Sequence, residues 1–174
     1  LPAAAAAGAA VFNAPYSNTR SVVELALGEI ITMARRLADK NANMHAGIWD
    51  KSANGSHEVR GRTLGIIGYG NIGSQLSVLA EGLGMKVYFY DIVDRLALGN
   101  ATRVYSLQEL FELCETITMH VDGRASNARM IGEKEFSQMR PRTLFLNLCR
   151  GNVVDVDALA AALRSGHIAG AAVD

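Results

Sequence analysis

Three glycines, Gly68, Gly70 and Gly73, stand at G-x-G-x-x-G spacing directly behind the apolar run Leu64-Gly65-Ile66-Ile67. That pattern suits one task, holding a pyrophosphate. Gly68 permits a tight exit from a strand, Gly70 lets a phosphate reach bare backbone, and Gly73 lets the next helix pack closely on the sheet. The anion would rest on the helix N-terminus, where unpaired N–H groups and the helix dipole favour negative charge. In a chain with 17 glycines the spacing alone also describes a tight turn without a ligand. Asp91 narrows the choice. It ends the run Met85-Lys86-Val87-Tyr88-Phe89-Tyr90, and an acid at the tip of the second strand of a βαβ unit holds an adenosine ribose through its hydroxyls. The same charge repels a 2′-phosphate, and no arginine immediately follows Asp91, so the expected cofactor is NAD rather than NADP.

A second set of residues sits at later strand ends. Arg150 closes the stretch Asn147-Leu148-Cys149-Arg150, behind a strand-like run over 143–148, which places it at the carboxyl edge where open α/β sheets bind ligands. Its rigid fork matches a carboxylate bidentately; the plainer alternative is a surface ion pair with Asp155. Asp174, at the tip of the last strand, could accept a hydrogen bond from a carboxamide. Asp155 and Asp157 are expected to cap the helix that follows them. A cysteine beside an arginine can be an activated thiolate, but no histidine lies near Cys149, which reads better as a small residue packed against a cofactor. His120 is the one histidine near the ligand edge, and a local partner is expected for it rather than an acid–base role.

The elements that position these residues follow from periodicity. Val11 to Pro15 is extended, since Pro15 biases Ala14 away from helix. A long connecting helix is expected over about residues 17–40, with capping-box spacing at Ser21-Val22-Val23-Glu24 and an apolar face of Val22, Leu25, Ala26, Ile30, Met33, Ala34 and Leu37. The polar segment Asn41 to Gly61 carries the lone tryptophan, Trp49. Strands are expected at 64–68, 86–91, 116–121, 143–148 and 168–173. Helices are expected between them at about 71–83, 106–113, 133–139 and 155–165. This alternation predicts an α/β fold: a Rossmann-like, doubly wound parallel sheet.

Composition excludes several classes. Seventeen basic residues balance seventeen acidic ones, so no overall field attracts nucleic acid or an anionic membrane. No apolar run reaches a membrane span. Cys114 and Cys149 lack metal spacing and fit a reducing, cytoplasmic compartment. Both ends of the chain read as cut, so a part of a longer protein is expected. A nucleotide-sensing module or corepressor would use the same glycine turn but would not need Arg150. A methyltransferase would pair such a turn with S-adenosylmethionine, against which the glycine spacing and the strand ending at Asp174 both argue.

The assembled motifs resemble the nucleotide-binding domain of the D-2-hydroxyacid dehydrogenases. Residues Asn13 to Val22 resemble that family's approach to its connecting helix, Arg62 to Gly73 its glycine turn, and Tyr88 to Ile92 its ribose-binding strand. Met139 to Asp155 and Ser165 to Asp174 resemble its later signatures. The likeness runs from about residue 11 to the end. Two places depart: His120-Val121-Asp122-Gly123-Arg124 stands where the family usually has His-Val-Pro and a threonine-rich turn, and Leu148-Cys149 replaces a pair that is usually small or polar.

The resemblance implies one NAD-binding domain over residues 1–174, with the substrate lobe and the catalytic glutamate and histidine lying outside it. It implies cofactor contacts from Gly68, Gly70, Asn71, Ile72, Gly73, Asp91, His120, Val121, Leu148, Cys149, Arg150 and Asp174. Arg150 would bind the carboxylate of a small 2-hydroxy acid, with 3-phosphoglycerate, at the start of serine synthesis, as the implied substrate. Asn18 would help order the hinge. The family further implies a homodimer or higher homo-oligomer built through the connecting helix and the Trp49 segment; no metal, nucleic acid or membrane partner is expected.

Overall fold

Short β-rich runs separated by helical periodicity give strands that are covered on both faces, and this governs the architecture. The computed structural model describes residues 2–174. Six strands form one wholly parallel sheet: β1 (Thr63–Ile67), β2 (Lys86–Tyr90), β3 (Thr102–Arg103), β4 (Thr116–Met119), β5 (Thr143–Asn147) and β6 (Ile168–Val173). Their order is β3-β2-β1-β4-β5-β6, the arrangement in which the chain reverses direction across the sheet between β1 and β4.

Alternate residues of each strand serve opposite faces. On one face Leu64, Ile66, Phe89 and Leu146 pack with Val23 and Ile30 of α2 (Thr19–Ala34) and with Leu76 and Ala80 of α4 (Asn71–Gly82). On the other face Ile67, Ile117 and Phe145 pack with α5 (Leu107–Leu113), α6 (Glu133–Gln138) and α7 (Val156–Arg164) through Leu110, Phe111, Phe136 and Leu159. Asp155 caps α7 through its side chain, accepting from Asp157 and Ala158 N–H groups, as expected of it.

Register is what positions the site. Ile67 lies opposite Tyr90 and Met119, and Asn147 lies opposite Met119 and Val173. The residues that follow, Gly68, Asp91, His120, Leu148 and Asp174, therefore leave the sheet along one edge.

The single connecting helix expected over 17–40 is corrected. The helix stops at Ala34, Arg36 takes a left-handed conformation (φ 55°), and α3 (Leu37–His45) starts afresh, reaching into the segment read as polar loop. No glycine or proline announces the break. It is fixed from outside: Arg36 reaches Asp39 (2.9 Å) and the Asn54 carbonyl (3.0 Å), while Lys40 holds Asp50 and the Ser52 carbonyl (both 2.6 Å), so the loop over residues 50–56 folds back onto the bend. The capping box does not form either. The helix begins two residues earlier than Ser21, behind Asn18, and Glu24 pairs with Arg20 instead (2.6 Å). The buried stripe is Val23, Ala26, Ile30 and Ala34, which leaves Leu25 and Leu37 exposed. The alanine-rich start of the chain forms a short helix, α1 (Pro2–Ala6), and the two-residue edge strand β3 had no sequence signal.

Candidate dinucleotide-binding site

The glycine turn is built by close approach. Gly68 leaves β1 with φ 92°, and a Cβ there would lie 2.7 Å from the His120 carbonyl oxygen. A Cβ on Gly73 would lie 2.2 Å from the Gly68 carbonyl oxygen, so only glycine lets α4 sit this near the turn. At Gly70 a Cβ would meet nothing within 4 Å. Open space over exposed backbone at a helix N-terminus is what a pyrophosphate requires. Between the first two glycines, Tyr69 turns inward, stacking on Phe89 with ring centroids 3.7 Å apart. Its hydroxyl lies 2.6 Å from Ser77 Oγ and accepts from the Leu98 N–H at 3.2 Å.

Asp91 is equally fixed. The Tyr69 N–H donates to Oδ2 and the Val93 N–H to Oδ1, both at 2.8 Å. This carboxylate borders a cavity of about 300 Å³ with Gly68, Gly70, His120, Val121 and Arg95. A larger cavity, about 570 Å³, opens at the other end of the sheet beside Met33, Arg62 and Gly170. It touches none of the strand tips that carry the motifs, so the smaller cavity is the candidate.

His120 Nε2 lies 3.0 Å from the Thr118 hydroxyl, the local partner expected for it, while Nδ1 is buried without one. Burial pulls its pKa down to about 4, so the ring is neutral near pH 7. Asp122 and Arg124, where the sequence departs from the family pattern, form a fork-to-carboxylate pair, and Asn127 Nδ2 donates to the Asp122 carbonyl (3.0 Å). The arginine holds the Asp122 carboxyl below its usual range.

The other expected residues lie on the same edge but outside this cavity. Asn71 opens α4, and its Nδ2 donates to the Pro15 carbonyl (3.3 Å), linking the turn to the extended N-terminal segment. Ile72 is half-buried in the first turn of the same helix. Asn18 precedes α2 without capping it through its side chain. Leu148 is buried in the core. Cys149 Sγ lies 3.1 Å from Asn147 Oδ1, and burial pushes its thiol pKa up, the opposite of an activated thiolate. Arg150 is exposed; its Nη1 donates to the Cys149 carbonyl (2.8 Å). The ion pair with Asp155 does not form, because Arg129 takes that carboxylate. Asp174 is exposed at the tip of β6, its N–H donating to the Asn147 carbonyl (3.2 Å). Sequence reasoning missed Tyr69 and Arg95, whose places beside Asp91 depend on tertiary contact. Among the described residues no cluster of three His, Cys, Asp or Glu could hold a metal, and no helix is long and apolar enough to cross a membrane.

Residues 27–174 match the family model of the D-isomer specific 2-hydroxyacid dehydrogenase, NAD binding domain, and the chain belongs to that family. Two relatives are D-3-phosphoglycerate dehydrogenases. That of Haemophilus influenzae is 54% identical over all of this chain and 42% of its own length. That of Escherichia coli is 53% identical with the same coverage. The chain thus spans less than half the length of these relatives. Among solved structures, D-lactate dehydrogenase with NAD+ from Lactobacillus jensenii superposes with a TM-score of 0.89 at 29% identity, over 98% of this chain and 52% of that one. NAD-dependent formate dehydrogenase from Staphylococcus aureus, in complex with NAD, gives 0.91 at 28% identity, over 99% and 53%.

Proposed function

We propose that this chain is the cofactor domain of an enzyme that reversibly transfers hydride between NAD and C2 of a D-2-hydroxy acid. The substrate pair we assign is 3-phosphoglycerate and 3-phosphohydroxypyruvate, the opening step of serine synthesis, on the strength of relatives more than half identical that bear that name. The observation that carries the reading is the shared register, which puts the glycine turn, Asp91 and the Arg150 loop on one edge. NAD, when bound, supplies the hydride acceptor. The Gly68–Gly73 turn offers bare backbone to its pyrophosphate, and Asp91 accepts from ribose hydroxyls. Arg150 anchors the substrate carboxylate and polarises the carbonyl oxygen. His120 stays neutral and Cys149 stays protonated, so neither moves the proton; a histidine outside these residues, made more basic by a glutamate, takes that part. Asn18, beside the Pro15 segment that touches Asn71, helps order the hinge.

Steady-state reduction of 3-phosphohydroxypyruvate tests the assignment. The 174-residue chain should bind NADH yet turn nothing over, since acid–base assistance is worth roughly 100- to 10,000-fold and closure between two lobes adds positioning. In the full-length protein Arg150→Lys should cut kcat/KM about 100-fold while sparing NADH affinity, because lysine keeps the charge and loses the fork. An unchanged kcat/KM would put the chemistry elsewhere.

We assign the protein to a cytoplasmic homodimer. Both cysteines are free thiols. Trp49 is 73% exposed, with Met44 and Ile48 exposed near it in sequence; its own loop covers it with the Lys51 ammonium, 4.6 Å from the ring centroid, and leaves most of the side chain open, and aromatic anchors are enriched at interfaces. Sedimentation should show Trp49→Ala shifted toward monomer, and an undisturbed dimer would sink this role.

A further inference from the structure

The loop after β2 carries a cation that the glycine turn and the Arg150 loop do not use. Asp91 is held by two backbone N–H groups, and its side chain is only 10% exposed. Arg95, four residues on, folds back over it with Nε 3.8 Å from Oδ2, too far for a hydrogen bond. Its side chain is 47% exposed. It borders both the cavity lined by Asp91, His120 and Val121 and the neighbouring one lined by Gly70, Asn71 and Ser74. A fixed anion and a loose cation thus share the place where an adenosine ribose would meet the strand tip.

We propose that Arg95 is a second cofactor-reading residue, a latent seat for the 2′-phosphate of NADP that the Asp91 charge holds in check. The proposal rests on the dinucleotide reading above and adds a specificity element to it. A guanidinium grips phosphate through paired N–H donors, and Arg95 has those donors to offer because its contact with Asp91 is long. The carboxylate cannot swing aside, since both of its oxygens are taken by backbone. In the parent protein the 2′-phosphate therefore meets a fixed negative charge beside the arginine, and NAD is preferred. Removing that charge leaves the cation in place.

Fluorescence titration of the full-length protein with NADH and with NADPH tests this, using Asp91→Asn, Asp91→Ser, Arg95→Ala and the double variant Asp91→Ser/Arg95→Ala. The parent should favour NADH. Each Asp91 variant should tighten NADPH by at least about tenfold, the low end for one hydrogen bond to a charged group, and the double variant should lose that gain. In the parent background Arg95→Ala should weaken NADPH while moving NADH less than about twofold. If the Asp91 variants do not fold, Arg95→Ala and Arg95→Glu carry the test alone, through selective loss of NADPH. An NADPH gain that survives Arg95→Ala, or a loss shared equally by both dinucleotides, would overturn the proposal. A parent that binds neither dinucleotide would overturn the site reading itself, a result distinct from NADH binding that is blind to Arg95.

Discussion

The two halves of the ligand edge are built in opposite ways. In the β1–β2 half, backbone presses on backbone: Gly68 abuts the His120 carbonyl, Gly73 abuts the Gly68 carbonyl, and Asp91 is locked by two N–H groups. In the β5–β6 half the chemistry-bearing side chains are loose. Arg150 is exposed and bonded through its side chain only to its neighbour's carbonyl, Asp174 is exposed, and Val156 and Val173 present apolar surface at 68% and 64% exposure. A pyrophosphate is the same in every dinucleotide, so its cradle can be rigid in advance. The role proposed for Arg150, gripping a carboxylate, suits a side chain left free to be ordered by what binds it.

Substitutions in the turn test the rigid half most severely. Gly73→Ala should destabilise the domain beyond the roughly 1–3 kcal/mol usual for overpacking, because the atom it strikes is backbone that cannot rotate away, and NADH binding should vanish with it. Gly70→Ala should leave stability within about 1 kcal/mol, the scale of an N-cap change, since φ there is −84° and space is open. Its NADH affinity should still fall, because the methyl occupies the phosphate approach. Thermal melts and NADH titrations separate the two, and a Gly70→Ala protein with normal affinity would place the phosphate elsewhere.

A smaller effect is expected from acid. His120 has its folded pKa lowered to about 4 by burial, against about 6.5 in the unfolded chain. Above pH 6.5 the ring is neutral in both states and no stability depends on it. As pH falls below 6.5 the unfolded chain takes up a proton that the folded ring refuses, so stability drops by on the order of 3 kcal/mol and levels off below about pH 4. Urea unfolding at intervals between pH 7.5 and 4.5 should show this slope in the parent and a flatter one in His120→Gln. Asp50, Asp122 and Asp155, all with lowered pKa values, add their own loss only at the acid end of this window, as pH falls toward the unfolded carboxylate pKa of about 3.9. Equal slopes would mean that water reaches Nδ1 and that this part of the wall is less rigid than its contacts imply.

How far the sequence foretold this arrangement depended on whether the signal was local. Gly68, Gly70, Gly73 and Asp91 were readable because strand, turn and helix follow one another directly, and the central strands were readable because each is a short apolar run between helices. The bend at Arg36 was not, since Ala34-Arg35-Arg36-Leu37 is good helix sequence and the break is imposed by a loop from residues 50–56. The true partner of Asp155 was missed for the same reason: Arg129 is 26 residues away. Arg95 was not legible either, because a cation four residues beyond Asp91 reaches it only through the backbone turn at Val93.

The smallest expected effect falls where the two halves meet. The loop after β4 crosses toward the β5 loop, and a Cβ on Gly123 would lie 3.1 Å from Arg150 Cγ and 3.4 Å from Asn152 Oδ1. Those distances are tight without being prohibitive, and the atom struck on Arg150 belongs to a flexible stem, so the fold should accept Gly123→Ala. The guanidinium would be displaced by a few tenths of an ångström at its base and more at its tip, which spoils a two-pronged grip on a carboxylate sooner than it spoils simple attraction. Under the proposed activity, the KM of the full-length protein for the hydroxy acid should rise about three- to tenfold, the loss of part of one charged hydrogen bond, with NADH affinity unchanged. Gly123→Ser should do the same, because the Cβ and not its substituent makes the contact. Should NADH affinity fall instead, Gly123 would belong with the rigid cofactor wall, and the boundary between the fixed and loose halves would have to be moved past Arg150.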